Sequence, residues 1–347
     1  MNAVVRGCRS IRWAAAICLL LVSCGVGAAS GSENVVVLNI EPSPENPRNS
    51  EGAFTALPSG RVLFYYTQFY GGARDESPAR IVCIQSDDEG RTWSAPRVVI
   101  ENSGRNNVMS VSLLRLRSGK LALFYLVKNS WIDCRPYVRY SSDDGATWSE
   151  ARVVGAAPGY FVLNNDRVVQ LESGRIVVPV AFHRSRGADP ETAKSFDPRA
   201  LAIWFYSDDD GATWREASTW WALGEVSGSG LQEPGVVELG DGRLFSWART
   251  DRGAQFGFTS RDRGVTWTPP SRTELASPLS PASIKRWPGS SKLIAVFNDH
   301  SGRFPFVKGK RTPLVAAISH DDGATWPQRV ILEDDPDGWY CYTAMHF

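Results

Sequence analysis

The sequence predicts an all-β protein, a six-bladed β-propeller of four-stranded antiparallel blades, and two recurring patterns predict it. The first is S-x-D-x-G-x-T-W, which occurs five times without a departure. The copies are Ser86-Asp88-Gly90-Thr92-Trp93, Ser141-Asp143-Gly145-Thr147-Trp148, Ser207-Asp209-Gly211-Thr213-Trp214, Ser260-Asp262-Gly264-Thr266-Trp267 and Ser319-Asp321-Gly323-Thr325-Trp326. Successive tryptophans lie 53 to 66 residues apart, a period of propeller-blade size. The second pattern is a glycine turn in phase with the first: Leu57-Pro58-Ser59-Gly60-Arg61, Leu116 to Lys120, Leu171 to Arg175 and Leu239 to Arg243. Trp287 to Lys292 is a looser fifth copy.

Glycine supplies the positive φ such hairpins need, and β-rich runs such as Val62-Leu63-Phe64-Tyr65-Tyr66 flank them. Each unit therefore reads strand, glycine turn, strand, strand, aspartate turn, strand, which is one antiparallel blade. In the aspartate turn, Ser and Asp side chains can bond backbone N–H groups inside the reversal. Thr and Trp are expected to open the outer strand, with the indole packing between neighbouring sheets. These aspartates are folding devices and not candidate catalytic acids.

After the fifth copy the chain runs through Val330-Ile331-Leu332 to Tyr340-Cys341-Tyr342-Thr343-Ala344-Met345-His346-Phe347. The last run reads as the first strand of a sixth blade. Either the sequence is a fragment, or a strand from Val35 to Ile40 completes the ring in part. Exposed pairing edges in an open ring favour the fragment.

Residues 1–29 read as an export leader, with the propeller over 34–347. Arg6, Arg9 and Arg12 precede Trp13 to Val22, an apolar run too short to span a bilayer. Leu21-Val22-Ser23-Cys24 resembles a lipobox that would leave Cys24 as a lipid anchor, and Val26-Gly27-Ala28 suits ordinary cleavage after Ala28. Either reading places the protein in the periplasm, on the outer membrane or outside the cell. A net charge of +1 gives no global field toward nucleic acid or anionic membrane. No Walker loop or G-x-S-x-G elbow is present, and no metal-ligand spacing implies a cofactor. Cys83, Cys134 and Cys341, three thiols without paired spacing, are expected as small buried residues.

With these repeats the chain resembles the sialidase (neuraminidase) family over nearly all of its mature length, the aspartate turns being that family's Asp boxes. Asp boxes also occur in non-enzymatic propellers, so the pocket residues decide. The resemblance implies an enzyme that grips the carboxylate of sialic acid with three arginines. It also implies a Tyr nucleophile, which a substrate carboxylate would not repel, served by a Glu base and an Asp acid/base. The most specific match is Glu233 in Leu231-Gln232-Glu233-Pro234-Gly235 with Arg249 in Trp247-Ala248-Arg249-Thr250. Arg311, just before the last box, matches the third arginine. Tyr342 matches the nucleophile, with Tyr340 as its rival.

Arg48 takes the place of the first arginine, in Asn46-Pro47-Arg48-Asn49, where the family usually shows Arg-Ile-Pro. Asp75 takes the acid/base place with Glu76 as alternative, and the Glu that orients the first arginine would fall beyond Phe347. Asn164-Asn165-Asp166-Arg167, His183-Arg184 and Asp133-Cys134-Arg135 are polar clusters at blade starts. Among them Asn165, Asp166 and His183 are candidate substrate contacts. The implied activity is retaining exo-α-sialidase hydrolysis of a sialylated glycan without metal or organic cofactor. Alternatives are a hydrolase of the same fold on another acidic sugar and a carbohydrate-binding propeller.

Overall fold

A computed structural model describes residues 34–347, together with short strand segments at Asn2–Val4, Ala14–Ala15 and Cys18–Leu20. The expected leader features at Arg6, Arg9, Arg12, Cys24 and Ala28 lie outside the described residues. No helix among the described residues is long and apolar enough to cross a membrane.

Five antiparallel units follow one another along the described chain. The first joins Arg48–Ala56, Val62–Phe69, Ala79–Ser86 and Arg97–Ile100. The second joins Asn107–Arg115, Leu121–Lys128, Cys134–Ser141 and Arg152–Val153. In the third, Tyr160–Val162 and Val169–Gln170 pair with Ile176–His183, followed by Leu201–Ser207 and Arg215–Glu216. The fourth joins Gln232–Glu238, Leu244–Arg249, Phe256–Ser260 and Ser271–Arg272. The fifth joins Ser283–Arg286, Leu293–Asn298, Leu314–Ser319 and Gln328–Glu333.

The local chemistry explains the hairpins. In the glycine turns Leu57 N–H donates to the Arg61 carbonyl at 2.8 Å, and the same closure recurs at Leu116, Leu171 and Leu239. Gly60 has φ +87°, a value open to glycine at no steric cost. In the first aspartate turn Gly90 N–H donates to Ser86 Oγ at 2.8 Å and Thr92 N–H to Asp88 Oδ1 at 2.8 Å. Three backbone and hydroxyl donors on Asp88 hold its carboxyl down at about 2. Thr and Trp remain inside the turn rather than opening the outer strand, which starts at Arg97 in the first unit and Arg152 in the second. The indole does pack between blades: Trp267 stacks on Trp204 of the preceding unit at 4.4 Å, and Trp148 meets Tyr65 at 6.0 Å.

Both chain ends differ from the expected strands. Residues 36–40 are not a strand; Val37, Leu38 and Ile40 pack instead against Phe54, Phe64 and Tyr66 of the first unit. At the other end only Tyr340–Cys341 is strand. Beyond it Ser283 Oγ donates to the Thr343 carbonyl at 2.6 Å and Lys285 Nζ to the Met345 carbonyl at 2.7 Å. Ala344 joins the apolar cluster of the first unit while Met345 joins that of the fifth, so this segment bridges the two. Cys83, Cys134 and Cys341 are buried free thiols.

A second repeat, silent in the sequence, runs through the backbone. Ten non-glycine residues among those described have positive φ. Half occupy one slot of the aspartate turn: Glu89, Asp144, Asp210, Arg263 and Asp322. The others are Glu51, Ser110, Asp166, Glu233 and Tyr342, with φ between 49° and 59°. The first four lie at or near the first strands of the first four units, and Tyr342 follows the short strand Tyr340–Cys341. The pairing register slips between Ser50 and Ala53, between Gln232 and Gly235, and opposite Ser110 between Phe124 and Leu126. These are β-bulges with a left-handed residue, a conformation that costs an L-residue about 1–2 kcal/mol.

Candidate active site

Four of these five left-handed residues, Glu51, Ser110, Glu233 and Tyr342, line one cavity of about 240 Å³. Its volume suits a single sugar residue. Asp75, Glu76, Lys128, His183 and Arg249 share its wall.

On the first unit, Arg48 is 1% exposed, with its guanidinium 4.4 Å over the Phe69 ring. Nη2 donates to Glu51 Oε1 at 2.8 Å and Nη1 to Asp75 Oδ1 at 2.5 Å. Asp75 rides on the loop after Phe69, and its side chain is 60% exposed. Asn107 of the next unit steadies that loop, its amide donating to the carbonyls of Asp75 and Ser77 at 2.8 and 2.9 Å. Solvent screening discounts the Arg48–Asp75 attraction. Burial within the site pushes the Asp75 carboxyl up, but Arg48, by charge and hydrogen bond, outweighs it and holds it below the usual range. Ser110 donates a short hydrogen bond to the other oxygen of Glu51. Burial first, with Asp75 and Glu233 nearby, pushes the Glu51 carboxyl up to about 7 despite Arg48 and Ser110.

Across the cavity, Tyr342 Oη stands 3.4 Å from Glu233 Oε1. The same oxygen of Glu233 accepts an ion pair from Arg249 Nη2 at 2.9 Å, and Asn164 Nδ2 donates to Oε2 at 3.2 Å. Burial, then the Glu233 charge, pushes the Tyr342 phenol well up, against Arg249 and Arg311. Arg311 lies 5.7 Å over the Tyr342 ring. Nε and Nη1 of Arg249 and Nη1 of Arg311 are buried with no hydrogen-bond partner among the described residues. Buried guanidinium donors are ordinarily paired, so this wall is built for an anion.

The structure therefore brings together Arg48, Arg249, Arg311, Asp75, Glu233 and Tyr342 from three units and the terminal segment. Glu76 lines the cavity and is paired with Arg74 at 3.1 Å. Tyr340 turns away, packing with Ile294, Val296 and Leu314. His183 is buried in the wall, its Nδ1 2.9 Å from the Asp197 carbonyl and its ring 4.5 Å from Phe196. Burial lowers its imidazole to about 4, so it is neutral. Asn165 and Asp166 serve the backbone beneath the site. Asn165 Nδ2 donates to the carbonyls of Gly52 and Tyr342 at 2.8 and 3.1 Å, while Asp166 takes Lys285 and the Met345 N–H. Arg167 is buried, donating to Ala282 and Ser283. Sequence reasoning missed Glu51, Ser110 and Lys128 as cavity residues. A charged pair on one strand, Arg48 and Glu51, was the only signal for the first, and the others had none.

The model of the BNR repeat-like domain matches residues 64–346. A sialidase of Micromonospora viridifaciens is 26% identical over 332 residues, covering 84% of this chain and 47% of the relative. A Paraclostridium sordellii sialidase is 25% identical over 238 residues, covering 61% of this chain and 55% of the relative. The chain thus spans about half the length of these curated relatives. Among solved structures, the Hadza microbial sialidase Hz136 has a TM-score of 0.66 at 20% identity, over 84% of this chain and 60% of its own. A Dyadobacter fermentans protein of unknown function has a TM-score of 0.68 at 17% identity, over 85% of both chains. These likenesses support the propeller architecture, and the family match covers most of the sequence: the chain belongs to the BNR repeat-like family, among its sialidase-like members.

Proposed function

We propose that this protein is a retaining exo-α-sialidase that cleaves terminal sialic acid through a tyrosine nucleophile. The observation that carries the proposal is the Tyr342–Glu233 contact of 3.4 Å beside guanidinium donors of Arg249 and Arg311 that have no partner among the described residues. The substrate carboxylate takes Arg48, Arg249 and Arg311. On Arg48 it competes with Asp75, and an Asp75 released from that guanidinium loses the charge that holds its carboxyl low. It then binds a proton more readily and stands free at the mouth as the acid for the leaving oxygen. Tyr342 Oη attacks the anomeric carbon as its proton passes to Glu233, the glycosidic bond breaks, and Asp75 protonates the departing oxygen. Water then attacks the same carbon and gives a proton to Asp75, while the phenol leaves and recovers its proton from Glu233. A neutral phenol with an adjacent base suits this site, because a carboxylate nucleophile would face the substrate carboxylate directly.

The relatives named as sialidases, though the chain spans only about half their length, support this reading. We further propose a ring of six blades, with Tyr340–Cys341 opening the sixth, and export of the chain as the leader implies. The test is fluorogenic release from a 4-methylumbelliferyl sialoside. Robust turnover is expected, falling about 10³-fold or more with Tyr342→Phe and about 10²-fold or more with Asp75→Asn. Absence of turnover by the folded protein, with no other acidic glycoside cleaved, would leave a binding propeller.

A further inference from the structure

The proposed reaction needs Tyr342 and Glu233 side by side, yet 109 residues separate them in the chain and their contact of 3.4 Å is long for an O–H donor. What holds them at that spacing lies beneath the cavity, on two adjacent asparagines of the third unit. Asn164 and Asn165 are 1% and 0% exposed. Asn164 Nδ2 donates to Glu233 Oε2 at 3.2 Å. The amide can face Glu233 in one sense only, because its Oδ1 accepts the Asn165 N–H at 2.7 Å and leaves the NH2 group for the carboxylate. Asn165 Nδ2 reaches the other partner, donating to the Tyr342 carbonyl at 3.1 Å and to the Gly52 carbonyl at 2.8 Å. One dipeptide thus grips the base by its carboxylate and the nucleophile by its backbone. The next residue anchors it: Asp166 N–H donates to the Val111 carbonyl of the second unit at 2.9 Å.

We infer that Asn164 and Asn165 are positioning residues that set the spacing of Tyr342 and Glu233, Asn164 also steering the phenol proton to one oxygen of Glu233. The inference rests on the sialidase-type reading, in which Tyr342 is the nucleophile and Glu233 its base. The two oxygens of Glu233 are divided in use: Oε1 meets Tyr342 Oη and Arg249 Nη2, while Oε2 meets Asn164. With Oε2 occupied by a donor, the proton released as the phenol O–H breaks bonds to Oε1. An amide N–H bonds a carboxylate more strongly than a carboxylic acid, so loss of that donor makes the base easier to protonate. Neither asparagine is among the residues lining the cavity. Each acts through the group it holds, so the grip of the arginines on the substrate carboxylate is spared while the covalent step suffers.

The experiment measures kcat and KM for a 4-methylumbelliferyl sialoside across the pH range on the whole protein, Asn164→Asp and Asn165→Ala. Asn164→Asp keeps the shape and the acceptor for the Asn165 N–H but, ionised, has no hydrogen to give Glu233. In both variants kcat is expected to fall about 10-fold or more, with KM changed by less than about threefold. The acidic limb of the kcat profile, which reports the base, should move up by about one pH unit in Asn164→Asp and stay in place in Asn165→Ala. The other charged or titratable groups bearing on Glu233 are Arg249, Arg167, Arg311, Glu51 and Tyr342, and both variants retain them. An unmoved limb in Asn164→Asp, an unchanged kcat in Asn165→Ala, or a loss carried by KM overturns the inference. A second measurement needs no turnover: guanidinium unfolding of Asn164→Asp, Glu233→Gln and the double variant, in which donor and acceptor change places. The double variant is expected to exceed the stability of additive losses by about 10-fold or more in the unfolding constant. Additive losses overturn the inference, as does a double variant that fails to fold. No turnover of any acidic glycoside would sink the sialidase reading alone, and the unfolding cycle then decides this one.

Discussion

Replacing Glu51 with glutamine should change how stability depends on pH, in a direction fixed by its surroundings. Glu51 is 3% exposed, and burial raises its carboxyl from 4.5 to about 7. Between those values the folded protein holds a proton that the unfolded chain has released. Stability from this group is therefore complete below 4.5 and is lost as pH rises through about 7. The span is worth at most about 3 kcal/mol. His183 works the other way: burial lowers it from 6.5 to about 4, so the unfolded chain takes up a proton there and stability rises with pH from about 4 to 6.5. The two slopes oppose each other over most of the same window. Glu51→Gln removes the falling one and leaves the rising one. Guanidinium unfolding followed by tryptophan fluorescence at pH 4.5, 5.5, 6.5 and 7.5 measures the difference. The stability of Glu51→Gln relative to the unsubstituted protein should climb steadily across the series, by up to about 3 kcal/mol. Parallel curves would refute the reasoning, because Glu51 would then titrate alike in the folded and unfolded states.

Two further substitutions test how the frame holds the site. Asn165→Ala leaves the Gly52 and Tyr342 carbonyls without their amide donor; a loss of about 1–3 kcal/mol in unfolding free energy is expected, together with slower turnover. Unchanged turnover would show that the Tyr342 backbone needs no such tether. In Gly235→Ala the added Cβ would sit 2.3 Å from the Trp247 ring, so displacement of that indole should cost about 1–3 kcal/mol. A melting temperature equal to that of the unsubstituted protein would mean that the ring moves freely.

The features legible in the sequence are those fixed by contacts within a few residues. Each aspartate turn closes on itself, Ser86 and Asp88 bonding Gly90 and Thr92, and so leaves its signature wherever it occurs. The arginines, Glu233 and Tyr342 were legible through resemblance, since their positions relative to those turns repeat a known order. Lys128 was not: it ends an apolar run, where a lysine ordinarily extends to solvent, and only the fold closes Trp131 and Tyr160 around it. Asn165 and Asp166 stood beside the right place, but a polar side chain on a loop does not disclose whether it faces a ligand or the backbone. Thr92 and Trp93 were placed on a strand because both favour one, whereas the carboxylate of Asp88 keeps Thr92 in the turn.

The left-handed residues at 51, 110, 166, 233 and 342 bear on how such a protein changes over time. A kinked backbone sets the direction in which each of these side chains leaves its strand, largely whatever that side chain is. Glutamate, serine, aspartate, glutamate and tyrosine all occupy the same conformation. A single codon change at 51, 110, 233 or 342 would alter the group presented to the cavity, whereas Asp166 beneath it is tied to Lys285 and the Met345 N–H. Divergence of chemistry within this architecture should therefore concentrate at these four sockets rather than spread across the blades.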